Sequence, residues 1–124
     1  MVTDQRQALG TAGEDAALRA YRAKGYRLIV RNWRCRVGEL DLVLGRGGTL
    51  VVCEVKTRRG DRYGSGWEAV TARKQAKIRA VTQVYLLDSG ARPGTVRFDV
   101  ASVAVRPDST VARSAEVEIF EDAF

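Results

Sequence analysis

GELDLVLGRGGTLVVCEVKTR, residues 38–58, holds two apolar runs joined by Gly47-Gly48, a strong signal for a two-residue hairpin turn. With the turn there, Arg46 faces Thr49, Leu44 faces Val51, Leu42 faces Cys53 and Leu40 faces Val55. Strand side chains alternate between faces, so Leu40, Leu42, Leu44, Val51, Cys53 and Val55 share one core-facing side. On the other side Asp41 stands opposite Glu54, and Glu39 opposite Lys56, with paired Cβ atoms about 5 Å apart. A slip of one residue would bury all four charges, so the register is well specified.

Two opposed carboxylates repel unless a positive charge lies between them. Asp41 and Glu54 carry the oxygen donors that a hard cation such as Mg²⁺ or Mn²⁺ takes. Lys56, two residues beyond Glu54, reaches the same face about 7 Å along. It could position or activate a water, or stabilise a developing phosphate charge. The alternative is a solvated polar face with a Glu39–Lys56 ion pair, stabilising by at most about 1 kcal/mol.

The flanking sequence reads as α/β. Asp4 to Lys24 forms a helix with Thr3 or Asp4 as cap and Gly25 as stop. Its small-residue arc runs through Leu9, Gly10, Ala12, Gly13, Ala16, Ala17, Ala20 and Tyr21, with Glu14 at the margin. Strands follow at Tyr26–Cys35, Leu40–Gly45 and Leu50–Thr57, then a polar loop over 59–66. Thr71 caps a second helix running to about Asp88 and ended by Gly90. Thr95–Val105 is a fourth strand, and Val117–Phe120 a short fifth. This order predicts one α/β domain over residues 1–124, built on a mixed sheet, with a core over about 5–105 and an acidic C-terminal tail over about 107–124.

In the second helix, Lys74 continues the apolar stripe of Ile78, Val81 and Tyr85. A lysine in a first turn is unfavourable for the helix dipole. Either it snorkels at the helix end, or its ammonium is aimed at the polar square or at a substrate phosphate. Glu14 has the same two readings: a pair with an arginine, or a share in a metal site.

Composition narrows the function. The chain has no histidine, which removes His-dependent nucleophile systems and His-based metal sites. Cys35 and Cys53 form no CxxC pairing and read as buried free thiols in a reducing cytoplasm. No apolar run approaches a membrane span, and MVTDQRQALG lacks the apolar core of a signal peptide, so a cytoplasmic location is expected. The formal net charge is +6, unevenly spread. Every charged residue from Ala16 to Val37 is Arg or Lys, whereas Asp108, Glu116, Glu118, Glu121 and Asp122 meet only Arg113. Such asymmetry predicts a basic face toward a polyanion, or serves solubility alone.

Asp41, twelve intervening residues, then Glu54-Val55-Lys56 resembles the Asp…Glu-x-Lys hairpin of the PD-(D/E)XK nuclease superfamily. More closely, the chain resembles the YraN-like family of small bacterial proteins. GED at 13–15, KGYRLIVRNWR at 24–34, GELDLV at 38–43, VVCEVKTR at 51–58, YG at 63–64, Lys74 and VRFDV at 96–100 carry that resemblance, over roughly residues 8–105. One departure is Cys53, where the family usually carries Phe.

The resemblance implies a restriction-endonuclease-like fold, similar to archaeal Holliday-junction resolvases. It implies a catalytic glutamate on the first helix, here Glu14, metal coordination by Asp41 and Glu54, and Lys56 as catalytic lysine. The expected function is nucleic-acid binding with Mg²⁺- or Mn²⁺-dependent phosphodiester cleavage, on DNA that is structured or branched. Glu39 and Lys74 are auxiliary, and Arg31, Arg34, Arg36, Arg58 and Arg59 are phosphate contacts that set affinity. By analogy, a two-fold homodimer would suit a branched substrate. The alternatives are a non-catalytic nucleic-acid-binding or scaffold protein on a nuclease-like fold, and an assembly factor whose basic face meets an acidic protein.

Overall fold

The computed structural model describes residues 2–59, 70–106 and 115–124. Most of the polar loop at 59–66, with YG at 63–64, lies outside them. The elements are α1 (Val2–Ala23), β1 (Arg27–Arg34), β2 (Glu39–Arg46), β3 (Thr49–Arg59), α2 (Ala72–Ser89), β4 (Thr95–Val105) and β5 (Ala115–Phe120). The expected order is present. α1 begins at Val2, ahead of the residues expected to cap it. The stretch expected as an acidic tail supplies β5 at its end.

Local chemistry sets the helix ends. Thr71 Oγ1 accepts the Lys74 N–H at 3.2 Å, and Gly90, at φ 72°, donates its N–H to Leu86 O at 3.1 Å. Gly25 ends α1 at φ 90°, a left-handed conformation in which a side chain is strained. Among the described residues no helix is long and apolar enough to cross a membrane.

The strands form one sheet in sequence order, β1-β2-β3-β4-β5. Only β3 and β4 run parallel, and α2 provides the crossover that such a pair requires. The hairpin register is the expected one from Arg46↔Thr49 to Leu42↔Cys53.

The hairpin has no solvated face, however. Leu42, Leu44, Val51 and Cys53 pack with Ala16, Ala17, Leu18 and Tyr21 of α1. Val43, Leu50 and Val52 pack with Ile78, Val81 and Tyr85 of α2. Each such large side chain, when fully buried, contributes about 1.5–3 kcal/mol. A mixed five-stranded sheet flanked by helices is the restriction-endonuclease-like arrangement.

Strict alternation fails at a register shift between Leu28 and Val30 of β1, and again around Leu40 of β2. Leu40 belongs to the α2 cluster, not beside Leu42 on the α1 face. Strand β1 pairs Arg31 with Leu42 and Trp33 with Leu40, which puts Asn32 across from Asp41. Asn32 has φ 55°, and this left-handed residue turns the chain over. Arg31 therefore reaches α1, while Trp33 stacks edge-on against Tyr85 of α2.

A buried carboxylate closes the far side of the sheet. Asp99, fully buried, accepts from Tyr21 Oη at 2.6 Å, from Arg97 Nε and Nη2 at 2.9 and 2.8 Å, and from the Asp122 N–H at 3.0 Å. It thus ties the end of α1, β4 and the turn after β5 together.

Helix α1 lies against β3 at Gly13, where an added Cβ would stand 1.8 Å from Thr57 Oγ1 and 2.8 Å from Thr57 Cβ. Gly13→Ala should therefore push the helix off the strand and cost roughly 1–3 kcal/mol of stability. Urea denaturation measures it. An unchanged midpoint would mean that α1 is not held at this distance.

Candidate functional site

The ladder between β2 and β3 stops at Leu42↔Cys53. Just beyond, the Val55 N–H donates to Asp41 Oδ2 at 2.8 Å, a side chain taking what would be a strand bond. The two strands part here, and a cavity of about 190 Å³ opens between their ends and α2. Gly38, Glu39, Asp41 and Glu54 line its sheet side, and Lys74, Lys77, Ile78 and Val81 its helix side.

Glu54 is only 9 % exposed. Its Oε2 takes Lys74 Nζ at 2.7 Å and lies 3.8 Å from Lys56 Nζ. The expected cross-strand pair of Glu39 and Lys56 is replaced: Glu39 Oε2 accepts from Arg34 Nε at 2.7 Å. Once the strands part, Glu39 follows the β1–β2 turn away from β3 and finds its neighbour on β1. The solvated polar face is thereby excluded, because Glu54 lies under α2 rather than in water. Lys74 is aimed at the site instead of snorkelling away from it.

Burial and then the charge of Glu54 push the Asp41 carboxyl up to about 7, against the Val55 N–H bond, which favours ionisation. Glu14 and Glu39 add smaller repulsions. The lysines divide. Burial first, then the hydrogen bond and charge of Lys74, lower the Lys56 pKa. Lys74 also suffers from burial, yet its bond to Glu54 raises its own. Lys56 is therefore the amine that gives up its proton more readily.

Glu14, on α1, accepts from Arg31 Nε at 3.2 Å and Asn32 Nδ2 at 3.1 Å. Of its two readings, the pair with an arginine is present. Among the described residues no three His, Cys, Asp or Glu side chains gather as a metal-holding group. The trio Glu14, Asp41 and Glu54 expected as metal ligands is thus not assembled as one cluster, because Arg31 and Asn32 hold Glu14 on the α1 side.

Asp41 and Glu54 do fit a hard cation. Each commits one oxygen to the contacts above, and their mutual repulsion is what a divalent ion relieves. Mg²⁺ commonly takes one or two carboxylates and keeps waters or substrate oxygens for the rest.

The five arginines scatter. Arg31 also pairs with Asp15 at 2.7 Å, and Arg58 donates to Ser102 Oγ at 3.0 Å while its buried Nε has no hydrogen-bond partner. Arg34, Arg36 and Arg59 are exposed, Arg34 being paired with Glu39. Sequence reasoning missed Gly38 and Lys77 as cavity residues, although Lys77 follows Lys74 at the i+3 spacing that shares a helix face.

The raised Asp41 pKa fixes a pH dependence. Between the ordinary carboxylate value near 4 and about 7, the folded chain binds a proton that the unfolded chain has released. Stability of the metal-free protein should therefore fall as pH rises through that window, by at most about 4 kcal/mol. Asp41→Asn should remove the slope. Urea denaturation in EDTA at stepped pH checks both, and a stability that rises over the window would contradict the buried repulsion.

With that geometry in place, comparison with known proteins identifies the relatives. The uncharacterised protein family UPF0102 matches residues 13–103. A UPF0102 protein of Frankia alni is 50% identical over 107 residues, covering 86% of this chain and 89% of its own length. One from Symbiobacterium thermophilum is 51% identical over 100 residues, covering 81% and 85% respectively. Another, from Pelotomaculum thermopropionicum, is 42% identical over 123 residues, covering 99% of this chain and 100% of its own length. The matched span runs from Gly13 through both carboxylates and both site lysines, and the chain belongs to the UPF0102 (YraN-like) family.

Proposed function

We propose that the chain is a metal-dependent nuclease that hydrolyses phosphodiester bonds in nucleic acid, with structured or branched DNA as the expected substrate. The observation that carries this is a buried, mutually repelling Asp41–Glu54 pair beside two lysines, in a cavity open to solvent. Carboxylates forced together at a fold's surface opening are costly unless they serve a ligand.

Asp41 and Glu54 would hold Mg²⁺ or Mn²⁺. A bound ion of this kind polarises a phosphate and lowers the pKa of its water. Lys56, the more readily deprotonated of the two lysines, positions the attacking water and takes its proton. Lys74, which keeps its proton, offsets the charge that builds on the phosphate oxygens. Glu14 orients this corner through Arg31 and Asn32, and Glu39 with Arg34 borders the opening. Exposed Arg34, Arg36 and Arg59 add phosphate contacts, and a homodimer would present two such openings to a branched junction.

A second reading has its own observation. Lys74 already neutralises Glu54 without any metal, as a retired site would require. A non-catalytic nucleic-acid-binding or scaffold protein on the same fold is the alternative.

A panel of single-strand, duplex, flap and junction DNA with Mg²⁺ or Mn²⁺ separates the two. Cleavage by the wild type should vanish in Asp41→Asn together with Mn²⁺ binding, followed by electron paramagnetic resonance. Lys56→Ala should keep Mn²⁺ and slow cleavage roughly 100-fold or more. A wild type that cuts nothing while binding DNA as well as Asp41→Asn does leaves the binding module.

A further inference from the structure

Gly38 is the residue at which the cavity's two walls meet. It closes the β1–β2 turn by accepting the Cys35 N–H at 2.9 Å. Its missing side chain leaves room for α2: an added Cβ would stand 3.1 Å from Lys77 Cε, 3.9 Å from Lys77 Cδ and 3.1 Å from Val81 Cγ2. The aliphatic stem of Lys77 thus lies directly across Gly38, and Lys77 lines the cavity.

The charges around it are otherwise committed. Lys74 is bound to Glu54, Arg34 to Glu39 and Arg31 to Glu14 and Asp15. Among the described residues Lys77 forms no ion pair, although it is exposed and lines an acidic cavity. Arg36, two residues before Gly38 in the same turn, is exposed as well. Val81 and Ile78 add apolar side chains to the same helix side of the cavity. A cation on that side, next to carboxylates that it does not pair with, is placed for a ligand that carries its own negative charge.

We propose that Lys77 is a substrate-binding residue that clamps a backbone phosphate of the nucleic acid at the cavity mouth, and that Gly38 positions it there. The proposal rests on the function proposed above and adds where the strand enters: over α2 and the β1–β2 turn, on the opposite side of the sheet from Arg31 and α1. A nucleic-acid phosphate is favoured over an isolated anion because Asp41 and Glu54, on the facing wall of the same cavity, would repel a small free anion. A polymer keeps that phosphate in place through its other contacts.

The test is fluorescence anisotropy of labelled single-stranded DNA and RNA of one sequence, titrated over a range of salt in EDTA. Lys77→Met keeps the stem and removes the charge. It should weaken binding and flatten the slope of log affinity against log salt by about one unit. Lys77→Arg should restore the slope, which a purely structural role of the stem would not require. Gly38→Ala should weaken binding in the same direction by displacing the stem. The same loss on DNA and RNA assigns the contact to the shared phosphodiester, and a loss on one alone assigns it to that polymer. Wild-type binding with an unchanged slope in Lys77→Met overturns the clamp and leaves the nuclease reading standing. Absence of wild-type binding at any salt overturns the clamp, and the nuclease reading is then decided by the cleavage panel alone.

Discussion

The Val55 N–H bond to the Asp41 carboxylate is the contact on which the rest of the site depends. A hairpin whose backbone pairing continued would leave no room between β2, β3 and α2. By accepting a strand N–H with a side chain, Asp41 ends the ladder at Leu42–Cys53 and satisfies a donor that would otherwise be orphaned. The same bond holds the carboxylate beside Glu54, where burial and repulsion work against its charge. One hydrogen bond thus creates both the opening and the electrostatic tension inside it.

That tension is only half relieved. Lys74 binds Glu54 closely, Lys56 stands farther off, and the ammonium of one weakens that of the other. Asp99 shows how this fold treats a carboxylate with a structural task. It is fully buried, yet a phenol, a bidentate guanidinium and a backbone N–H satisfy both oxygens. The two acids sit in the same sheet under opposite regimes. One is saturated by the protein, and the other keeps unspent capacity facing a cavity. Incomplete compensation in an otherwise well-packed domain is what the proposed metal site would draw on.

Close approach makes the arrangement possible. Both helices come down on the sheet at glycines: α1 at its own Gly13 over Thr57, and α2, with Lys77 and Val81, over Gly38. The first sets the spacing between Glu14 and the hairpin, and the second seats the lysine-bearing turn of α2 over the acids. Two bare backbone positions therefore fix how closely each helix approaches the sheet, and the second of them borders the cavity under α2.

Much of this was legible in the order of residues. Alternation around Gly47-Gly48 determined the hairpin register, and with it the neighbourhood of Asp41 and Glu54, because strand pairing next to a tight turn is a local property. Thr71 and Gly90 determined the ends of α2 for the same reason. Alternation could not reveal that Leu40 changes sides, beside a stretch of β1 in which Asn32 adopts a left-handed conformation. Nor could it choose the partners of the charges. Glu39 took Arg34 rather than Lys56, Glu14 took Arg31, and Glu54 took Lys74 from the following helix. A sequence of this kind determines which groups exist and which backbone neighbours they have. The tertiary structure alone decided which charges meet, because ion pairs form across elements whose separation is set by packing, and a few ångströms separate a ligand site from a salt bridge.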